Sequence, residues 1–394
     1  MARMLGVIAE YNPFHLGHAY HLQKARELAQ AEHVIVVMSS CFTQRGEAAL
    51  LSPADRAKMA LSCGADAVFA LPALWAVRDA EHFALGGVAL LKGLGCDAIS
   101  FGTETNDLPL LSAVARMLEA PDKEFSAALN TSLSEAASYP SAVSAAADAV
   151  LPGAGALLSS PNSTLAICYL RAMIRLQSDM AVIPVHRHSG YHETDLTDAL
   201  PSATAVRSAF LRGDWHRLQS ALPDAAFRIL SQASREGRVH RPEALDQALA
   251  YRLRTMTATD YASLSDLSEG IEYRLMSAAS KACTRESILE AAKTRRYPHT
   301  RLSRLATHAL LGMDASLFQA SPLPDAAWLL GYRRDSRNIF AHIRQFGSIP
   351  VIGKPADFDR SIPWFSTEAR AYDLWALGAG LNSGLAFTQG VVVL

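Results

Sequence analysis

Four short apolar runs fall within the first 102 residues, at 6–9, 33–38, 66–72 and 97–102. Each is followed by a polar or proline-marked loop, and helical periods intervene at 17–31, 53–63 and 80–94. Runs of four to eight apolar residues read as buried strands when turn signals bound them. Their alternation with helices leaves little choice of architecture. Successive βα units of this length form a parallel sheet with helices on both faces. Right-handed crossovers then bring the C-terminal ends of the strands to one edge, where ligands bind at a switch in strand order. The loops at 12–18, 39–47 and 102–104 follow three of these strands, so the spacing predicts that they converge. A fifth strand is predicted at 179–185, after a helical stretch at about 108–160 and a helix opened by Pro161-Asn162-Ser163-Thr164.

The first strand-to-helix junction carries the most specific chemistry. Gly6-Val7-Ile8-Ala9-Glu10-Tyr11-Asn12-Pro13-Phe14-His15-Leu16-Gly17-His18 runs from strand through an Asn-Pro turn into helix. At a helix start the first backbone N–H groups lack partners and the macrodipole is positive, which suits phosphate. Gly17 lets a ligand approach the backbone. His15 and His18 can donate to phosphate oxygens and stabilise charge on a leaving group. Zinc held by His15, His18 and His21 is the competing reading. It is disfavoured because no carboxylate or cysteine stands beside them at ligand spacing. Ser202-Ala203-Thr204-Ala205-Val206-Arg207 supplies a second helix start with hydroxyl donors, and an arginine that can grip an anion with two nitrogens. Ser202 is its predicted N-cap. Arg45, in Gln44-Arg45-Gly46-Glu47 on the same edge, is a candidate for a carboxylate or phosphate contact. Read alone, Arg45, Asn162 and Arg187 would each be ordinary surface or capping residues.

Past residue 213 helical periods dominate, and residues 323–394 read as a small α+β end segment. Two parts follow, 1–213 and 214–394. The formal net charge of −1 excludes a polycationic protein, so any nucleic-acid contact must be local. Residues 281–345 hold 11 Lys/Arg against 5 Asp/Glu, and the run 293–304 has no acid. Arg295, Arg296, Arg301 and Arg304 in that run are the candidate RNA contacts, with Tyr297 available for stacking. A solvated helix face is the plain alternative. The N-terminus lacks a signal-peptide layout and no apolar run reaches about 18 residues, so a membrane span is not expected. Five scattered cysteines without a Cys-x-x-Cys point to a reducing, cytoplasmic setting.

Taken in order, Glu10 to His18, Phe42-Thr43-Gln44-Arg45-Gly46-Glu47, Arg56-Ala57-Lys58-Met59-Ala60, Gly64-Ala65-Asp66, Phe101-Gly102-Thr103-Glu104, Pro161-Asn162-Ser163, Ser202 to Arg207 and Arg296-Tyr297-x-x-Thr300-Arg301 resemble the His-x-Gly-His nucleotidyltransferases. They resemble most closely the bacterial tRNA(Met) cytidine acetate ligase family, over nearly the whole chain. The resemblance implies a Rossmann-like α/β ATP-binding catalytic domain at 1–213 and a mainly helical, tRNA-binding region at 214–394. It implies that ATP and acetate form acetyl-adenylate with loss of pyrophosphate. The acetyl group would then pass to N4 of the wobble cytidine, in the anticodon region of elongator tRNA(Met). Family ATP-binding positions map onto Val7, Ile8, Ala9, Glu10, Tyr11, Asn12, Pro13, Phe14, His15, Leu16, Gly17, His18, Ala19 and Tyr20, and onto Gly102, Asn162 and Arg187. His15, His18 and Arg207 take the catalytic roles. Mg²⁺ would accompany ATP, with no dedicated protein cage. Leu16 and Cys41 depart from the residues common in the family. Two alternatives remain: a nucleotidyltransferase making a cofactor precursor, and a non-catalytic RNA-binding protein on the same fold.

Overall fold

The computed structural model describes residues 4–135, 138–186, 201–264, 270–295, 297–354 and 362–394. Strands β1 (Met4–Ala9), β2 (His33–Ser39), β3 (Ala67–Leu71), β4 (Ala98–Thr103) and β5 (Ala181–His186) lie within two residues of their predicted starts and ends. Helices α1 (Leu16–Ala29), α2 (Pro53–Ser62), α3 (Ala73–Ala76) and α4 (Ala80–Gly93) connect the first four strands. Between β4 and β5 come α5 (Leu108–Glu119), α6 (Lys123–Ser134), α7 (Tyr139–Val150), α8 (Ala154–Ser159) and α9 (Pro161–Arg175). Local chemistry sets the boundaries. Ser52 Oγ accepts the Asp55 N–H at 3.0 Å with Pro53 in the first turn of α2, and Asp79 accepts the His82 N–H at 3.0 Å at the start of α4.

The strand order is β5-β4-β1-β2-β3, all parallel. β1 pairs with β2 on one side and with β4 on the other, so the order reverses at β1. The crevice at a topological switch point therefore opens above the C-terminal ends of β1 and β4. The strands are apolar along their length because helices cover both faces: Val34 to Met38 are fully buried. Burial contributes about 1.5–3 kcal/mol for each Val or Ile in that position. Helix α4 seats close on β1. A Cβ at Gly6 would lie 2.5 Å from Leu91 Cδ2, and one at Gly87 2.7 Å from Ile8 Cδ1.

Beyond β5 the chain runs through α10 (Ala203–Leu211), α11 (Trp215–Ala221), α12 (Asp224–Arg235), α13 (Asp246–Thr255), α14 (Ala258–Ser263), α15 (Ile271–Lys281), α16 (Arg285–Ala292), α17 (His299–Leu311) and α18 (Ala315–Ala320). Leu249, Tyr261, Ile271, Leu275, Ile288, Leu302 and Leu305 form a second apolar core among α13–α17. The α+β end segment joins the main sheet. Its β6 (Ala327–Tyr332) pairs antiparallel with β3, making the sheet mixed. Then α19 (Ile339–Phe346), β7 (Val351–Ile352), α20 (Pro363–Gly378), α21 (Leu385–Thr388) and β8 (Val392–Val393) follow, with β7 and β8 both parallel to β6. No helix among the described residues is long and apolar enough to cross a membrane.

Candidate active site

Where β1 ends, the chain leaves the sheet at Glu10, with Tyr11 at φ 46°. Phe14 is fully buried and meets Tyr11 edge-on at 4.7 Å, which anchors the turn. Asn12 ties it further: its Oδ1 accepts the Leu50 N–H at 2.8 Å. His15 caps α1. Its Nδ1 accepts the Gly17 N–H at 3.1 Å, while His18 Nδ1 accepts the His15 N–H at 3.2 Å. The two rings stack with centroids 3.6 Å apart. This geometry fixes the tautomers. With each Nδ1 accepting, a neutral ring carries its proton on Nε2, so both histidines have an Nε2–H to donate. Gly17 is needed sterically, since a Cβ there would lie 2.9 Å from the His15 ring.

One sequence expectation changes here. The first N–H groups of α1 are not all open to an anion: His15 takes that of Gly17 through its ring and that of His18 through its carbonyl, at 2.9 Å. The imidazoles therefore carry more of the anion-binding capacity than the helix start does.

Arg207 arrives from α10, whose predicted cap is present: Ser202 Oγ accepts the Ala205 N–H at 3.1 Å. Arg207 donates through Nη1 to the Asn12 carbonyl at 2.8 Å and through Nη2 to Thr204 Oγ1 at 3.3 Å. It lines the same pocket as His15, Gly17 and His18. Of the other ATP-site positions expected from sequence, Val7, Ile8, Ala9, Glu10, Tyr11, Asn12, Tyr20, Gly102 and Asn162 also line it, whereas Pro13, Phe14, Leu16 and Ala19 do not. Arg187 lies outside the described residues, as does Arg296.

Glu10 has its carboxylate in the pocket wall, accepting the Gln44 N–H at 2.6 Å, and its carbonyl accepts from the buried Arg56 Nη1 at 2.6 Å. Burial raises its pKa; the Gln44 N–H and the charges of Arg207, Arg45 and Arg56 oppose that rise. Arg45 and Glu47 complete this side. Across the pocket, Glu104 binds the start of α9 with both oxygens. Oε1 accepts from Asn162 N at 3.1 Å and Nδ2 at 2.6 Å, and Oε2 accepts from Ser163 N and Oγ, each at 2.7 Å. Burial pushes the Glu104 pKa up, but the hydrogen bonds from Ser163 and Asn162 outweigh it and hold the carboxyl below its usual range. Because the Asn162 amide nitrogen faces this carboxylate, its Oδ1 is left as an acceptor for a donor on a ligand.

Phe83, Phe101, Leu165, Tyr169 and Val185 form the apolar wall, with Phe101 and Tyr169 rings 5.7 Å apart. Of the five only Phe101 falls in a motif, beside Gly102; apolar patterning assigns the others to the core, and only the fold turns them toward a cavity. The pocket thus joins an apolar slot, two stacked imidazoles, two arginines and an oriented amide. That set suits a nucleotide with a charged phosphate chain.

The basic run does not enter the pocket. Arg295 is exposed, Arg301 and Arg304 are partly buried, and none of the three lines the pocket. Tyr297 corrects the sequence reading. It is 4% exposed, packed into the helical core, and Arg301 lies over its ring at 5.2 Å, so it is not free to stack on a base.

Residues 2–383 match the HIGH Nucleotidyl Transferase family. The chain is 32% identical to a tRNA(Met) cytidine acetate ligase of Acetivibrio thermocellus, covering all of both chains. It is also 32% identical to the Bacillus subtilis protein of that name, over 95% of this chain and 92% of that one. Among solved structures it resembles Thermotoga maritima TmcAL bound with alpha-thio ATP. The TM-score is 0.91 and the identity 27%, covering 100% of this chain and 99% of the other. The apo form of that protein gives a TM-score of 0.92.

Proposed function

Since the chain belongs to the HIGH nucleotidyl transferase family, and within it to the tRNA(Met) cytidine acetate ligases, we propose that it activates acetate with ATP and acetylates the wobble cytidine of elongator tRNA(Met). The observation that carries this reading is the convergence of His15, His18 and Arg207 on one pocket from segments about 190 residues apart.

In the first half-reaction an acetate oxygen attacks the α-phosphorus of ATP. The bond from that phosphorus to the bridging oxygen breaks, and pyrophosphate leaves with the electron pair. Nothing covalent forms on the protein. What the reaction needs is alignment and neutralisation of charge. The Nε2–H groups of His15 and His18 meet the α- and β-phosphates, and Arg207 holds the departing pyrophosphate. Gly102 admits the nucleoside, the apolar wall takes the base, and Asn162 accepts a hydrogen bond from base or ribose. Arg187 belongs to the same nucleotide set by family position. We assign Mg²⁺ to the triphosphate itself. In the second half-reaction the N4 amine attacks the acetyl carbon. AMP leaves and the nitrogen gives up a proton. An anticodon base is unstacked enough to reach a pocket.

We assign ATP chemistry to residues 1–213 and tRNA binding to 214–394, with Arg295, Arg296, Arg301 and Arg304 tracking phosphates. A tRNA acceptor and five unpaired cysteines fit a reducing cytoplasm. The test is mass spectrometry of tRNA(Met) incubated with the protein, ATP and isotopically labelled acetate. A labelled N4-acetylcytidine is expected at the wobble position. Pyrophosphate exchange that depends on a phosphorylated small molecule instead of acetate would support the cofactor-precursor alternative.

A further inference from the structure

The loop between β2 and α2 is gripped from both sides. On the pocket side, Gln44 N–H donates to Glu10 and the Arg45 side chain lines the cavity. On the far side its carbonyls are taken by the C-terminal half. Ser303 Oγ donates to the Arg45 carbonyl at 2.7 Å, and Thr307 Oγ1 donates to the Gly46 carbonyl at 2.5 Å. Arg285 Nη2 reaches the same Gly46 carbonyl at 2.6 Å. It also contacts the Ser303 carbonyl at 2.7 Å, Ser303 Oγ at 2.9 Å and Thr307 Oγ1 at 3.0 Å. Ser303 and Thr307 are buried, at 2% and 0% exposure. Desolvation lowers the Arg285 pKa to about 10, a sign that its guanidinium is enclosed. Gly46 sits at φ +76°, and a Cβ there would lie 2.7 Å from the Ser303 carbonyl and from Arg304 N, so α17 presses directly on the loop.

The division of labour in the pocket gives this grip a purpose. The histidine pair and Arg207 meet the phosphates. Asn162, Gly102 and the apolar wall meet the nucleoside. Among the described residues, Arg45 is the other arginine of the pocket wall besides Arg207, and neither set above uses it. A two-carbon acid offers one carboxylate and a methyl group, so a single cation dominates its placement. ATP, in contrast, is held at many points. We propose that Arg45 receives the carboxylate of the acid substrate, and that Arg285, with Ser303 and Thr307, is the positioning device that sets where Arg45 stands. Arg285 never touches substrate; it acts through two backbone carbonyls. The inference rests on the acid-activating function proposed above.

The test uses the full chain in acetate-dependent exchange of labelled pyrophosphate into ATP, without tRNA. The KM for acetate and the KM for ATP are measured separately, with the melting temperature alongside. For the double variant Ser303→Ala, Thr307→Val, the acetate KM is expected to rise about tenfold, the cost of a weakened charge-assisted contact. The ATP KM should stay within about twofold, because its many contacts are elsewhere. Arg285→Gln should act in the same direction, and Arg285→Lys, which keeps the charge and a donor group without the fork, should recover part of the loss. If Arg285→Gln does not fold, the double variant reads the same network. Unchanged acetate KM in the variants overturns the positioning role, as does an equal rise in both KM values that tracks a fall in melting temperature. A wild-type protein that shows no acetate-dependent exchange overturns instead the functional reading beneath it.

Discussion

Replacing Glu368 by Gln should make the protein more stable above neutral pH and flatten its stability profile. Glu368 lies on α20, is 1% exposed, and accepts the Ala73 N–H at 2.6 Å. Burial is the leading influence on its carboxyl and raises the pKa from 4.5 to about 7; the Ser40 hydroxyl and the Ala73 N–H offset part of the rise. The sign follows from proton counting. Between pH 4.5 and 7 the folded chain keeps a proton that the unfolded chain has released. The folded state therefore binds more protons, and unfolding free energy falls as pH rises. Each pH unit crossed costs about 1.4 kcal/mol, so the full window costs about 3 kcal/mol. Glutamine is neutral throughout and keeps an oxygen for the Ala73 N–H. The two proteins should thus be nearly equal at pH 4.5, and the variant should lead by up to about 3 kcal/mol at pH 8. Trp364 and Trp375 sit on the same helix, both buried, and report its unfolding by fluorescence. Urea midpoints at pH 4.5, 6 and 8 are the measurement. Parallel profiles, or a variant weaker than wild type at pH 8, would refute the desolvation argument.

Three further outcomes follow from the site. His18→Ala removes one Nε2–H donor and should lower acetate-dependent pyrophosphate exchange by about 10²–10³-fold, with a modest fall in melting temperature from the lost acceptor for the His15 N–H. Glu104→Gln takes away one of the two oxygens that hold Asn162 and Ser163 at the start of α9, so the ATP KM should rise several-fold with little change in turnover. Steady-state kinetics with ATP varied at saturating acetate reads this. Arg295→Glu with Arg301→Glu should weaken tRNA binding and shallow its salt dependence, since counterion release scales with phosphate contacts. Fluorescence anisotropy of labelled tRNA at several salt concentrations checks it, and unchanged affinity would make the run only a solvated face.

What the sequence reveals depends on how local the cause is. Strands β1–β5 are legible because a parallel strand covered on both faces must be apolar along its length. His15 and His18 are legible because capping, turn and stacking occur within four residues. β6 escapes the sequence reading: Ala327 to Tyr332 is a short apolar run whose period cannot separate strand from buried helix, and its partner β3 lies about 260 residues earlier. Tyr297 misleads for a similar reason. Its neighbours in sequence are cationic, while its neighbours in space are the apolar residues of α13–α17. Arg285 is invisible in sequence because its targets are two backbone carbonyls and two small hydroxyls, and the Gly46 carbonyl lies about 240 residues earlier.

The segment after β2 explains why the two halves are not separable modules. Beyond Arg45 and Gly46, the Ala49 carbonyl accepts from Trp375 Nε1 at 2.7 Å, the Leu50 N–H donates to Asn12, and the Leu50 carbonyl accepts the His240 N–H at 3.0 Å. One short stretch thus binds the active-site turn on one side and α17, α20 and the approach to α13 on the other. An acyl-adenylate is prone to hydrolysis, so an enzyme that makes one gains by holding the acceptor close and water away. A chain that strings the arginine proposed to bind the acid between the nucleotide pocket and the helices proposed to bind tRNA would meet that need through its backbone. Displacement of α17 on binding tRNA would be felt at Arg45, because the Arg45 and Gly46 carbonyls are where α17 grips the wall of the pocket.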